Sequence, residues 1–224
     1  MMDDSEFIIR ISPKQGKITV EENENGIFSR KNITVEALLQ SFKHSVMVSE
    51  PGYASGFLPL NTLSVYQSAE EKRIVLWHPK LYADVSVYDT PYPRFPIPRL
   101  VFGFAISNEG KISQCRIGVA ADETPTPETI MYYYPFSNVT RSNGLLCVGA
   151  NALPIYKKQH KAYNLPAFLL SIPNNMHSYS ESNNKLGLGY RELMEHLKDK
   201  DPAYYYSDIL IPNGKTLRDF INAA

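Results

Sequence analysis

Two apolar segments, RLVFGFAIS (residues 99–107) and KISQCRIGVA (111–120), meet at the turn Asn108–Glu109–Gly110. Their apolar content and the glycine turn between them are those of core strands in an antiparallel hairpin. Upstream, Leu63–Tyr66 and Arg73–His78 read as strands separated by the charged turn AEEKR, and YADVSVYD (82–89) alternates as a third. Downstream, TIMYYYPF (129–136) reads as a further strand after the polar loop ADETPTPET. The centre of the chain is therefore expected to be a meander. One stretch resists it: TPYPRFPIP (90–98) holds four prolines. Proline fixes φ and lacks an amide donor, so this stretch is expected to be a rigid, extended connection, neither a helix nor an inner strand.

The flanks have a different character. FIIRIS and KITVEE read as two short strands around Lys14–Gln15–Gly16, after which ENENG breaks the pattern. Thr34 is a plausible N-cap for a helix marked by Ala37, Leu38 and Phe42 and ending before Pro51–Gly52. LPAFLLSI (165–172) is either a buried helix or a strand, since periodicity alone does not decide. A helical stripe runs through Leu186, Tyr190, Leu193, Met194 and Leu197, and Thr216 caps a last helix, TLRDFINAA. AYYY (203–206), after the turn Asp201–Pro202, is expected to pack these helices onto the sheet. Strands in the centre and helices after them give an α+β fold, an antiparallel β-meander with helices packed on one face. No internal repeat or domain boundary is evident. Residues 1–30 are expected to form an accessory N-terminal hairpin.

Composition narrows the partners. Lysine plus arginine equals aspartate plus glutamate, 23 against 23. Holding nucleic acid by bulk charge needs an excess of cations, so that class is disfavoured despite the local basic run Lys157, Lys158, His160 and Lys161. No apolar run approaches the roughly 20 residues of a membrane span. The start MMDDSEF has no basic-then-apolar segment, and two cysteines are too few for a disulfide framework. The expectation is a cytoplasmic protein with both thiols free.

Most routes to chemistry are closed. Cys115, Cys147 and five scattered histidines offer no closely spaced pair of metal ligands, so no metal or other cofactor is expected. LGLGY (186–190) has neither a preceding strand nor a following lysine, as a phosphate-binding turn would need. No GxSxG elbow is present. Of the two cysteines, Cys115 lies inside an apolar strand and reads as a small core hydrophobe. Cys147 follows the turn Ser142–Asn143–Gly144 and precedes Val148 and Gly149, where a thiol can be reached. Residue type alone leaves a structural and a reactive reading of Cys147 both open.

Four stretches carry a resemblance: IVLWHPK (74–80), PRLVFGFA (98–105), MYYYPFSNV with NGLLCVG (131–149), and DILIPNGKTLRDFI (208–221). In these the chain resembles the prokaryotic ubiquitin-conjugating-enzyme-like superfamily, and within it the PRTRC system protein B family. Ubiquitin-conjugating enzymes run from a meander through a proline–asparagine turn to an acceptor cysteine and then helices. Here the same order is Pro135, Asn138, Gly144, Cys147. The resemblance implies one ubiquitin-conjugating-like domain over residues 1–224 and an acceptor thiol at Cys147. It also implies a histidine after the cysteine, best matched by His177, and an oxyanion-supporting asparagine, matched by Asn138. The chain departs from the better-known enzymes in having Tyr134 where their histidine precedes the proline, and in placing Phe136 and Ser137 between Pro135 and Asn138.

The implied reaction is thioester exchange. The acceptor attacks as a thiolate, and an ordinary thiol is only a few per cent ionised at neutral pH, so a base must take the proton. Imidazole exchanges protons in that range, hence His177, whose other reading is a polar loop residue bonded to backbone. Asn138 as an oxyanion donor would contribute about 3 kcal/mol, against a plain turn role. The implied partners are an adenylating activating enzyme, a ubiquitin-like β-grasp modifier and a metal-dependent isopeptidase of the same system. The alternative is a non-catalytic binding module of the same fold, with Cys147 incidental.

Overall fold

The computed structural model describes residues 6–12, 17–24, 27–45 and 56–223. The chain divides into two compact units, Met1–Ser55 and Gly56–Ala224.

In the first unit, β1 (Glu6–Ser12), β2 (Lys17–Glu24) and β3 (Ile27–Ile33) form an antiparallel sheet in that order, followed by α1 (Val35–Ser45). Thr34 caps α1: its hydroxyl accepts the Ala37 N–H at 3.1 Å. The break expected at ENENG is corrected. β2 continues to Glu24, and a third strand pairs with it from Ile33 back to Ile27. That strand, IFSRKNI, is largely exposed and lacks the alternation that marks a half-buried strand, so pairing and not burial defines it. Glu21 on the central strand meets Arg10 at 3.2 Å and Arg30 at 3.6 Å, one on each neighbour. The turn expected at Lys14–Gln15–Gly16 and the helix stop at Pro51–Gly52 lie outside the described residues.

The second unit is built on a six-stranded antiparallel sheet of β4 (Thr62–Gln67), β5 (Glu71–His78), β8 (Leu100–Ser107), β9 (Ile112–Ala120), β10 (Ile130–Tyr132) and β11 (Pro212–Thr216). The spatial order is β11-β10-β9-β8-β5-β4. β5 and β8 are neighbours because the chain between them leaves the sheet as a separate ribbon, β6 (Leu81–Val87) with β7 (Thr90–Ile97). The proline-rich stretch is thus a paired strand, which corrects the expectation of a connection. A two-stranded ribbon leaves one edge of β7 without a ladder partner, and an edge tolerates prolines that an inner strand would not. The register shifts opposite Asp84, where Arg94 takes φ +50° and donates its N–H to the Asp84 carboxylate at 2.8 Å.

Alternation sorts each strand of the sheet between two cores. On one face Ile74, Leu76, Phe102, Phe104, Ile117 and Val119 pack with the ribbon, with α2 (Leu165–Ser171) and with α3 (Tyr190–Leu197). LPAFLLSI is therefore helical as far as Ser171, burying Leu165, Leu169 and Leu170. The helix expected from Leu186 starts later: Gly189 is the N-cap, with its N–H donated to the Glu192 carboxylate at 3.1 Å, and Leu186 is exposed before it. AYYY leads into a π-helical turn, Tyr205–Ile209, whose Tyr205 is fully buried and donates its hydroxyl to Pro96 O at 2.8 Å. On the other face Val75, Val101, Ala120 and Met131 pack with Leu217 of α4 (Leu217–Ala223). Thr216 and Asp219 close the start of α4 on one another, the Thr216 N–H donating to the carboxylate at 2.8 Å. Among the described residues no helix is long and apolar enough to cross a membrane.

The β8–β9 turn is clamped from outside. Gly110 sits at φ +85°, and its carbonyl accepts the Tyr156 N–H at 2.7 Å. A Cβ at Gly110 would lie 2.6 Å from the Tyr156 carbonyl, a backbone group that cannot swing aside. Gly110→Ala is expected to lower stability by more than ~1 kcal/mol, because the φ strain and the clash add. Urea unfolding checks this: the midpoint falls while the slope is unchanged.

Candidate functional site

The site arises from a strand that leaves its sheet and returns. β10 pairs with β9 at Met131↔Ala120 and Tyr132↔Val119. The chain then departs and rejoins the same edge further along, at Leu145 opposite Arg116. There the Leu146 N–H donates to Cys115 O at 2.9 Å and the Ile117 N–H to Gly144 O at 2.8 Å. Residues 133–144 are the excursion between these contacts. The strand expected over 129–136 thus ends at Tyr132, as the chain turns toward Pro135.

The excursion is held by an aromatic plug. The buried Phe136 meets Tyr134, Phe95 and Tyr205 edge-on at ring separations of 5.2, 5.8 and 5.9 Å. Edge-to-face pairs of this kind add about 0.5–1.5 kcal/mol each beyond the area they bury. The chain then closes a tight hairpin: Val139 bridges Leu146, and the Thr140 N–H donates to Leu145 O at 2.8 Å. Gly144 makes the turn at φ +71°. Leu146 and Val148 pack against the core, so the residue between them points the other way. That residue is Cys147, whose thiol is free and exposed.

Asn138 stands opposite Cys147 at the foot of this hairpin. Its carbonyl accepts the Cys147 N–H at 2.7 Å. Asn138 is buried and takes φ +64°, a conformation that asparagine tolerates better than most residues. Its side chain faces a different segment: Nδ2 donates to Pro173 O at 3.2 Å, and Oδ1 accepts the Asn175 N–H at 3.3 Å. Asn175 Oδ1 in turn accepts the His177 N–H at 2.9 Å. The backbone amides of Cys147 and of the exposed His177 are therefore linked through Asn138 and Asn175, while the thiol and the imidazole take no part in these bonds.

The segment carrying His177 is gripped from a second side, by residues the sequence reading missed. Asn174 forms a bridge with Val87 at the tip of the β6–β7 ribbon, donating its N–H to Ser86 O at 2.9 Å. Tyr88, at φ +50°, returns its own N–H to Asn174 O at 2.8 Å, and its hydroxyl accepts the Met176 N–H at 3.3 Å. The paired asparagines of NNMH are the signal that was available, since asparagine side chains bond nearby backbone in turns. Nothing local to Tyr88 announces its partner.

The neighbouring phenols supply no base. Burial pushes the Tyr134, Tyr190 and Tyr205 hydroxyls well above their usual range, so each stays protonated at neutral pH. Tyr134 is thus a neutral packing residue. Burial also pushes the Cys115 thiol up to about 12. A raised pKa keeps the sulfur neutral and inert until the pH approaches that value. Iodoacetamide at pH 8 is therefore expected to add one equivalent to the native protein, at Cys147, and two in denaturant. Peptide mapping checks the position; labelling of native Cys115 at a similar rate would contradict the burial.

The sequence model for prokaryotic E2 family D matches residues 35–212. No curated protein and no solved structure matches the chain. The matched span takes in the meander, the excursion, Cys147, Asn138 and the segment to His177, and the chain belongs to prokaryotic E2 family D.

Proposed function

We propose that this protein accepts a ubiquitin-like modifier as a thioester on Cys147 and passes it on. The observation that carries the reading is the exposed thiol at the end of the excursion hairpin, joined through Asn138 to the segment of His177. Family membership supplies the setting, an E2-like fold. In the proposed step, His177 takes the Cys147 proton and the thiolate attacks the thioester carbonyl joining the modifier to its activating enzyme. The tetrahedral adduct collapses by breaking the old C–S bond, and the proton passes from the imidazolium to the departing thiolate. Asn138 commits one Nδ2 proton to Pro173 O. The second is assigned to the oxyanion of the adduct.

The finer identity, PRTRC system protein B, rests on the four sequence stretches quoted above. With it come the proposed partners: an adenylating activating enzyme, a small β-grasp modifier and a metal-dependent isopeptidase that reverses the conjugation. A cytoplasmic location is part of the same proposal, because an exposed free thiol that must stay reduced suits a reducing compartment.

The test is reconstitution with an adenylating activating enzyme and a β-grasp modifier of the proposed kind, plus ATP. An adduct that thiol reagents cleave is expected on the wild type, none on Cys147→Ala, and a thiol-resistant ester on Cys147→Ser. His177→Ala and Asn138→Ala are each expected to slow adduct formation by about 10²-fold or more. Modifier binding that survives Cys147→Ala, with no adduct on any variant, would replace the carrier with a binding module.

A further inference from the structure

A second site lies on the other side of the excursion hairpin. Residues 139–144, β9, β10, β11 and α4 enclose a groove of about 520 Å³, the size of a peptide or ligand site and not of a single ion. Three cations line it, Arg116, Arg141 and Lys215, against one carboxylate, Asp219. That carboxylate is already committed to Thr216, whose N–H and hydroxyl hold it below its usual range. Neither Arg116 nor Arg141 forms an ion pair with any described carboxylate.

The two guanidinium groups are placed but not neutralised. Arg116 gives Nη1 to Asn143 O at 2.7 Å, and its Nε is shielded from solvent without a protein partner. Burial, and then the charge of Arg73, make its ionised form costlier, which is the condition an anion would relieve. Arg141 lies 4.2 Å over the Tyr133 ring and gives Nη1 to Ser182 Oγ at 3.0 Å. Both contacts fix the guanidinium plane, and a fixed fork suits carboxylates. The whole chain has no excess charge, so a polyanion drawn by long-range field fits less well than a local carboxylate match.

We propose that this groove binds an acidic peptide segment of a partner protein, with Arg141, Arg116 and Lys215 on its carboxylates and Tyr133 beneath it. The site is independent of the thiol chemistry, and binding survives Cys147→Ala. The hairpin turn at 140–144 forms one wall of the groove and also leads to Cys147, so the docked segment lies on the element that presents the thiol.

The probe is fluorescein-labelled hexaglutamate, titrated against the full chain at low salt and followed by anisotropy. Saturable binding is expected, weakened at least ten-fold by Arg141→Ala and by Lys215→Gln. The paired control Lys157→Ala/Lys158→Ala, which removes the basic run elsewhere, is expected to bind as wild type. Circular dichroism confirms that the variants fold, and Lys215→Gln, at an edge strand, carries the test if Arg141→Ala melts. The proposal is overturned by no saturable binding, by equal loss in the control, or by unchanged binding in both groove variants. Displacement by inorganic phosphate or by oligothymidylate at lower concentration than by unlabelled hexaglutamate also overturns it, since the groove would then be a phosphate or nucleic-acid site.

Discussion

Asn138 joins the hairpin that presents Cys147 to the segment at 173–175, a pair of pieces held separately by the hairpin ladder and by the ribbon tip. Its carbonyl ends the hairpin ladder at Cys147, and its side chain bonds residues 173 and 175, up to 37 positions away in sequence. A glycine could adopt φ +64° as readily but would offer no side chain, and a β-branched residue would resist that backbone. Asparagine satisfies both demands. Each bond contributes only about 0.5–1.5 kcal/mol net, but leaving the buried Asn138 amide unpaired would cost about 1–3 kcal/mol. The joint therefore sets position more than it adds stability.

The surrounding packing makes that joint precise. Phe136 is wedged among Phe95, Tyr134 and Tyr205, so the residues just before Asn138 have little room to shift. The ribbon tip at Ser86–Tyr88 holds the far segment from the opposite side. A thiol on a free loop would sample many directions. Here it is the one outward residue of a segment whose neighbours, Leu146 and Val148, pack against the core. A carrier of an acyl group needs that combination of fixed position and open approach.

Much of the sheet was legible because its strands obey local rules. β8 and β9 were readable from apolar runs and a glycine turn, and their register is fixed by which residues of each face meet which of the two cores. β3 was not, since a polar, exposed strand leaves no alternation to read. The proline stretch misled because the rule against proline applies to inner strands, and β7 has an open edge that only topology reveals. At the site, the turn before Cys147 signalled an accessible thiol, and only the family resemblance linked it to Asn138. The bond from Asn138 to Asn175 and the grip of Tyr88 on residues 174–176 are long-range contacts. No window of residues encodes them; they follow from the ribbon folding back over the sheet.

Hydrogen exchange at the Asn175 and Cys147 amides, wild type against Asn138→Gly, tests the joint most directly. Glycine keeps the backbone conformation and removes only the side chain. If Asn138 couples the two segments, the Asn175 amide loses its protection and the Cys147 amide exchanges faster with it, while amides in β8 and β9 are unchanged. Wild-type protection at both positions in the variant would contradict the coupling on which this account of the site rests.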